Sequence, residues 1–295
     1  MKALLIGGTG FTGSYVAPRL QAAGYDVTCF VRPTSDRRHL PPNIRFIEGD
    51  NADVPRLTEA MRGQDVLVCV ASIGFGHGPG IVQAARAAGI RRAVFVGTTA
   101  IFTTLAAKTK SVRAEAEKAI AESGLDWTLI RPTMIYGSPR DRNMIRLIRH
   151  LQRWPFVTVA GSGEHLQQPV FVDDVAAAVV DALRFDATIG RAYNISGAAP
   201  LTFNEVIGTV ARVLGRRVRR IHIPVAPVVA MMRAVERTGL KLPFKSEQIL
   251  RLNENKSFSH DEAARDFGFR PRSFEEGIRL EIESARHDSS DGRSV

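Results

Sequence analysis

The sequence predicts an α/β protein: a doubly wound parallel sheet followed by a smaller C-terminal α/β domain. Short apolar strand-like runs alternate with amphipathic helical segments from residue 2 to about residue 137. Some runs, such as Val66-Leu67-Val68-Cys69-Val70, are apolar without alternation, as expected for parallel strands covered on both faces. The first run, Ala3-Leu4-Leu5-Ile6, enters Gly7-Gly8-Thr9-Gly10-Phe11-Thr12-Gly13, and an amphipathic helix is expected over 14–23.

That glycine stretch fits Gly8-x-Gly10-x-x-Gly13 and, as a close variant, Gly7-x-x-Gly10-x-x-Gly13. Glycines let the chain turn sharply and let a pyrophosphate approach the backbone. The helix start then offers unpaired N–H groups and the positive end of its dipole. A strand before the motif and a helix after it supply the context that makes it a dinucleotide site. Gly7, Thr9, Gly10, Phe11 and Thr12 are the expected pyrophosphate-binding residues.

Strand two is expected at Val27-Thr28-Cys29-Phe30-Val31. An acidic side chain often follows this strand to hold a ribose 2′-hydroxyl. Here Arg32 takes the place, with Ser35 and Arg37 close behind. A carboxylate repels a 2′-phosphate, whereas a guanidinium forms charge-assisted hydrogen bonds to it, so NADP is expected rather than NAD. Strand three, 44–50, ends in Gly49-Asp50, placing Asp50 and Asn51 beside the adenine. A helix over 53–62 precedes strand four, 65–72, which ends in Ala71-Ser72. A helix over 81–88, strand five at 92–99, a helix over 111–123 stopped by Gly124, and strand six at 127–132 complete the rhythm.

After residue 137 the rhythm changes. A helix is expected over 141–153, strands at 156–160 and 168–175, a helix over 174–184 and a strand at 191–196. Thr202 three residues before Glu205 reads as a capping box opening another helix. A strand at 218–223 leads into further helix. The expected domains are a dinucleotide-binding one over 1–137, to which sheet segments near 170–196 return, and mainly a small substrate-binding one over 138–287; a flexible tail over 288–295 follows.

The chain of 295 residues is 44% hydrophobic and 24% charged, ordinary for a globular protein. No apolar run approaches the roughly 20 residues a bilayer span needs. Met1 leads straight into strand one, so export is not expected and the location expected is cytoplasmic. Cys29 and Cys69, inside strands, read as buried free thiols, and no metal-ligand spacing is present. The net charge is +10. Arg142, Arg146, Arg149 and Arg153 share one helical face, with Met144, Ile145, Ile148 and Leu151 opposite. Such a face is either wet surface or a basic wall over an anionic ligand. Arg216-Arg217 and Arg219-Arg220 form a second cluster. No aromatic interleaving accompanies either group, so nucleic acid is not an expected partner.

These motifs, together with Gly124-Leu125-Asp126-Trp127-Thr128-Leu129-Ile130-Arg131-Pro132, Tyr136-Gly137, Val170-Phe171-Val172-Asp173-Asp174-Val175 and Asp266-Phe267-Gly268-Phe269-Arg270-Pro271, resemble the extended or atypical short-chain dehydrogenase/reductase superfamily, in particular its epimerase/dehydratase-like members. The resemblance covers nearly the whole chain. It implies a Rossmann sheet, a nicotinamide cofactor whose ribose Ala71 and Ser72 would flank and whose nicotinamide Pro132 and Thr133 would abut, a small-molecule substrate and, in many members, a homodimer. It also implies a Tyr-x-x-x-Lys pair, whose tyrosine is the general acid/base, and a Ser or Thr that orients the substrate oxygen.

This sequence departs from that pattern. The tyrosine position falls on Thr109 and the lysine position on Arg113. Thr98 or Thr99 could still orient a substrate, and Arg113 could hold a ribose or a phosphate. Tyr136, Lys108 and Lys110 are candidate replacements for the missing acid. Gln167-Gln168 stands where epimerase-like members place a diphosphate-binding arginine, and Asn143 resembles a substrate-contacting asparagine. Segment 225–250, with Met231-Met232, is where substrate choice is expected to be set. Two functions follow: an NADP-dependent oxidoreductase or epimerase-like enzyme, or a catalytically degenerate NAD(P)H-binding sensor or structural subunit.

Overall fold

The computed structural model describes residues 1–105, 108–237 and 246–290. β1 (Lys2–Ile6) runs through the glycine turn into α1 (Gly13–Ala22). β2 (Asp26–Val31), β3 (Arg45–Glu48), α2 (Val54–Met61), β4 (Val66–Cys69), α3 (Gly78–Ala87), β5 (Arg92–Val96), α4 (Lys108–Ala121) and β6 (Asp126–Pro132) follow. Then come β7 (Ile135–Tyr136), α5 (Met144–Arg153), β8 (Phe156–Ala160), β9 (Leu166–Gln167), β10 (Val170–Phe171), α6 (Val172–Arg184), β11 (Arg191–Ile195), β12 (Leu201–Thr202), α7 (Phe203–Val213) and β13 (Arg219–Ile223). α8 (Val225–Arg237), α9 (Ser246–Leu252), α10 (Asp261–Phe267) and α11 (Phe274–Ser290) complete the chain.

Among the described residues, seven strands form one parallel sheet in the order β3-β2-β1-β4-β5-β6-β11. β1 is therefore flanked by β2 on one side and β4 on the other, with Ile6 opposite both Phe30 and Cys69. This reversal of strand order opens a crevice at the carboxyl ends of β1 and β4, where open α/β sheets bind ligands. Both faces are covered, which explains the unbroken apolar runs. Alternate strand residues Leu4, Ile6, Leu67, Cys69, Phe95 and Leu129 pack with Leu57, Ile81, Ala116 and Ile120 of α2, α3 and α4. α1 and α6 pair with each other, joined by a bidentate Arg19–Asp173 contact at 2.7 Å.

The chain divides into two compact units. The first comprises Met1–Thr133, Val172–Ile195 and Ser259–Arg270. Besides the returning segment Val172–Ile195, this unit takes in Ser259–Arg270. β6 ends at Pro132, and Thr133 is still tied to the sheet by its amide on the Ile195 carbonyl at 3.0 Å.

The second unit comprises Met134–Phe171, Ser196–Phe258 and Pro271–Val295. Its described strands form short ladders, β7 with β10, β9 with β12 and β8 with β13. The expected capping box is present: Thr202 accepts from the Glu205 amide at 3.1 Å, and Glu205 accepts from the Thr202 amide at 2.7 Å. α5 begins at Met144 rather than at 141, because the Asp141 carboxylate accepts from the amides of Asn143, Met144 and Ile145 at its start. Strand 168–175 shortens to Val170–Phe171, and α6 starts at Val172. The tail expected from residue 288 is helical through Ser290, and its last part, 291–295, lies outside the described residues, as does 238–245 within the expected specificity segment.

Candidate functional site

The first unit builds the cofactor site from its glycine turn. Gly7 has φ +84°, a conformation that disfavours any side chain, and a Cβ there would lie 2.6 Å from the Ala71 amide nitrogen. A Cβ on Gly13 would lie 2.1 Å from the Gly7 carbonyl oxygen, so only glycine lets α1 start against the end of β1. The Gly10 amide closes the turn on the Gly7 carbonyl at 3.0 Å. The amides of Phe11 and Thr12 have no acceptor among the described residues, as befits donors at a helix N-terminus. The turn thus presents N–H groups, a helix dipole and no side-chain bulk, and it fits a dinucleotide pyrophosphate. Cys29 lies directly beneath Gly8, and burial pushes its thiol up to about 12, leaving it packing rather than reactive.

The ribose and adenine candidates stand at neighbouring strand ends. Arg32 is exposed just past β2 and has no ion pair among the described residues. Ser35 donates its amide to the Arg32 carbonyl at 2.9 Å, fixing the turn between them. The next two arginines are already engaged. Arg37 pairs with Glu48 and lies 4.8 Å over the Phe46 ring, while Arg38 pairs with Asp36 at 2.8 Å. Asp50 is exposed past β3 and accepts from the Ala52 amide at 2.8 Å, with Asn51 half-buried beside it. Ser72 caps a short 3-10 turn, Ile73–Phe75, by accepting from the Gly74 amide at 3.3 Å.

The catalytic candidates fare unequally. Thr98 accepts from the Ala100 amide at 3.2 Å, with its hydroxyl proton left to donate elsewhere. Thr99 is buried and donates to the Pro132 carbonyl at 3.3 Å, so its hydroxyl is spent on holding β5 to β6. Thr109 and Arg113 lie one turn apart on α4. Arg113 reaches back over the turn after β4: a Cβ on Gly74 would lie 3.1 Å from its Nε. It thereby stands beside the loop of Ser72, within the same unit. Lys110 donates to the Thr103 carbonyl at 2.7 Å, and the side chain of Lys108 lies outside the described residues.

Tyr136 belongs to the second unit, is 1% exposed, and donates its hydroxyl to the Phe274 carbonyl at 3.3 Å. Phe171 and Phe274 pack on its ring at 5.5 and 5.3 Å. A Cβ on Gly277 would lie 2.0 Å from the phenol oxygen, so the hydroxyl is sealed by a helix. The phenol that the sequence offers as a candidate acid is thus packed inside the second unit. The two glutamines are likewise committed. Gln168 bridges the Gly197 carbonyl and the Phe258 amide at 2.8 Å each, and Gln167 donates to the Leu252 and Glu254 carbonyls.

Sequence reasoning missed Glu117. Its carboxylate, 9% exposed, binds Arg131 of β6 and so locks α4, the helix of Thr109 and Arg113, onto the sheet. The signal was available in part: Glu117 is one turn beyond Arg113 and so lies on the same helical face. Among the described residues no three His, Cys, Asp or Glu gather as a metal site, and no helix is long and apolar enough to cross a membrane.

Comparison with known proteins adds to this geometry. A family described as NAD(P)H-binding matches residues 7–186. The (4-alkanoyl-5-oxo-2,5-dihydrofuran-3-yl)methyl phosphate reductase of Streptomyces griseus is 32% identical over 73% of this chain and 75% of its own length. The 2-alkyl-3-oxoalkanoate reductase of Stenotrophomonas maltophilia is 25% identical over 95% of this chain and 98% of its own. The UDP-glucose 4-epimerase of Thermotoga maritima, solved with UDP-glucose, matches the fold with a TM-score of 0.76 at 18% identity, over 98% of this chain and 100% of that one. The glycine turn that fits a dinucleotide, the seven-stranded parallel sheet and the family match over residues 7–186 agree: this chain belongs to the NAD(P)H-binding proteins of the extended short-chain dehydrogenase/reductase superfamily.

Proposed function

We propose that this chain is an NADP-dependent oxidoreductase, or an epimerase-like enzyme, acting on a carbonyl or hydroxyl group of a small anionic substrate. The observation that carries the cofactor choice is Arg32, an exposed guanidinium past β2 with no carboxylate partner among the described residues, while Arg37 and Arg38 are held by Glu48 and Asp36. A bound nicotinamide supplies hydride chemistry. The chain's own residues hold and orient: Gly7, Thr9, Gly10, Phe11 and Thr12 the pyrophosphate, Arg32 and Ser35 the 2′-phosphate, Asp50 and Asn51 the adenine, and Ala71 and Ser72 the ribose. Pro132 and Thr133 border the nicotinamide. Thr98 donates to the substrate oxygen, and Arg113 supplies the positive charge that an anionic substrate or the nicotinamide ribose needs. The Streptomyces griseus relative acts, by its name, on a phosphate ester carrying a carbonyl group, which agrees with an anionic substrate class.

A second reading, an NAD(P)H sensor or structural subunit, is favoured by Thr109, which offers no acidic proton near neutral pH, and by the sealed phenol of Tyr136. Calorimetric titration with NADPH and NADH, on wild type and Arg32→Asp, tests the cofactor assignment. Preference for NADPH that reverses in the variant supports it; equal affinity for both cofactors, unchanged in the variant, overturns it. Oxidation of bound NADPH by a panel of phosphorylated and carboxylated ketones then separates the enzyme from the sensor.

A further inference from the structure

On the second unit, folding assembles an exposed aromatic and basic face, and it corrects the expectation that no aromatic accompanies the arginines: Trp154 and Phe156 directly follow Arg153. Val157 and Val159 of β8 are buried, so Phe156 and Thr158 point the other way, into solvent. The parallel register sets Arg219 beside Phe156 and Ile221 beside Thr158, on that same outer face. Trp154 is 45% exposed, Phe156 41% and Ile221 42%. The Trp154 and Phe156 rings are 6.0 Å apart, and the Arg153 guanidinium lies 5.5 Å over the Trp154 ring. Arg149 is one turn of α5 before Arg153, and Arg216 and Arg217 lead into β13. None of Arg149, Arg153, Arg216, Arg217 and Arg219 has an acidic partner among the described residues, in a chain whose other arginines are often ion-paired. The opposite face of β13 is occupied: Arg220 and His222 both bond to Asn204.

We propose that this face docks on a bilayer surface rich in anionic phospholipids. Trp, Phe and Ile side chains enter the headgroup boundary while arginines stay at the phosphates. Other occupants fit less well. A second copy pairing along β13 would bring its cluster Arg216, Arg217, Arg219 and Arg220 up to the same cluster of the other copy, like charge near like. The same arginines guard the strand edge against added peptide strands. Nucleic acid would satisfy the guanidiniums and stack on the rings, but it would leave Ile221 wet, whereas lipid buries it.

The test is co-flotation of the whole protein with phosphatidylcholine vesicles, with and without phosphatidylglycerol. Binding is expected only with phosphatidylglycerol present. Lipids brominated near the headgroup should quench tryptophan emission in wild type but not in Trp154→Phe. Neutralising Arg153 and Arg219 together (Arg153→Gln/Arg219→Gln) should lower partitioning about 25-fold, roughly fivefold for each charge near the surface. A second variant, Phe156→Ser/Ile221→Ser, should lower it about tenfold or more, from the apolar area withdrawn. Unchanged circular dichroism and unchanged NADPH affinity establish that the variants are folded. The proposal is overturned if wild type ignores phosphatidylglycerol vesicles or if either double variant partitions as well as wild type. It is also overturned if duplex DNA binds as tightly as vesicles with no loss in Phe156→Ser/Ile221→Ser, or if the variants instead abolish a dimer seen by light scattering.

Discussion

Arg131 of β6 grips Glu117 of α4 with two nitrogens: Nε lies 3.1 Å from each carboxylate oxygen and Nη2 donates to Oε2. The guanidinium also lies 5.4 Å over the Phe102 ring. Glu117 is 9% exposed, so losing its partner would leave a buried charge uncompensated. Removing one member of such a pair costs about 3–5 kcal/mol, whereas replacing both by apolar groups costs much less. Glu117→Ala should therefore destabilise the protein by about 3 kcal/mol in urea unfolding, and Glu117→Leu/Arg131→Met by clearly less. A loss below about 0.5 kcal/mol in Glu117→Ala would mean the pair is no more than a surface contact.

Tyr136 provides a test of an apparent catalytic residue. Its hydroxyl donates to the Phe274 carbonyl at 3.3 Å, inside a cluster of aromatic rings. Tyr136→Phe removes that bond and keeps the ring, so it should cost about 1 kcal/mol of stability. Turnover of any substrate found should stay within twofold. A fall of about 100-fold in kcat, the scale of a lost general acid, would return this phenol to the mechanism.

The two tyrosine readings show what the sequence could and could not disclose. The Gly7–Gly13 turn was legible because its signals are local: a strand, glycines at fixed offsets and a helix, all within one short stretch. The absence of tyrosine at Thr109 was legible for the same reason, since α4 and Gly124 set the register. The burial of Tyr136 was not legible because its hydroxyl's direction is decided by Phe274, 138 residues along the chain. Glu117–Arg131 crosses from a helix to a strand, and nothing in either segment names the other. Trp154 and Phe156 stand directly after Arg153 in the sequence and were overlooked there, whereas Arg219 and Ile221 join them only through the register of β8 with β13, some sixty residues on.

Glu281 of α11 carries a pH-dependent cost. It is fully buried, and burial, with Asp141 adjacent, pushes its carboxyl up to about 11. In the folded chain it stays protonated near neutrality, while in the unfolded chain it ionises near the ordinary value of about 4.3. The folded state thus holds one more proton between these two values, so stability falls as pH rises through that window. Glu281→Gln keeps a hydrogen-bond donor toward Asp141 and removes the titration. Its Tm should exceed wild type at pH 8, with the gain shrinking toward pH 4. Parallel Tm curves for the two proteins would show that Glu281 ionises alike in both states.

Thr109 and Arg113 offer the sharpest test of the enzymatic reading. They stand one helical turn apart, on a helix that Glu117 pins to the sheet. A phenol at 109 would sit one turn from a permanent cation, which favours its ionised form and so its ability to exchange a proton. If the site is an intact short-chain dehydrogenase frame lacking only its acid, Thr109→Tyr/Arg113→Lys should raise reduction of an accepted ketone by about 100-fold, the lower end of general-acid contributions. The gain should appear in kcat, with NADPH affinity kept. Strong activity already in wild type, with a loss in the double variant, would show instead that this chain draws its proton from solvent while Arg113 holds the substrate. No turnover in either protein, with NADPH bound tightly by both, would favour the sensor.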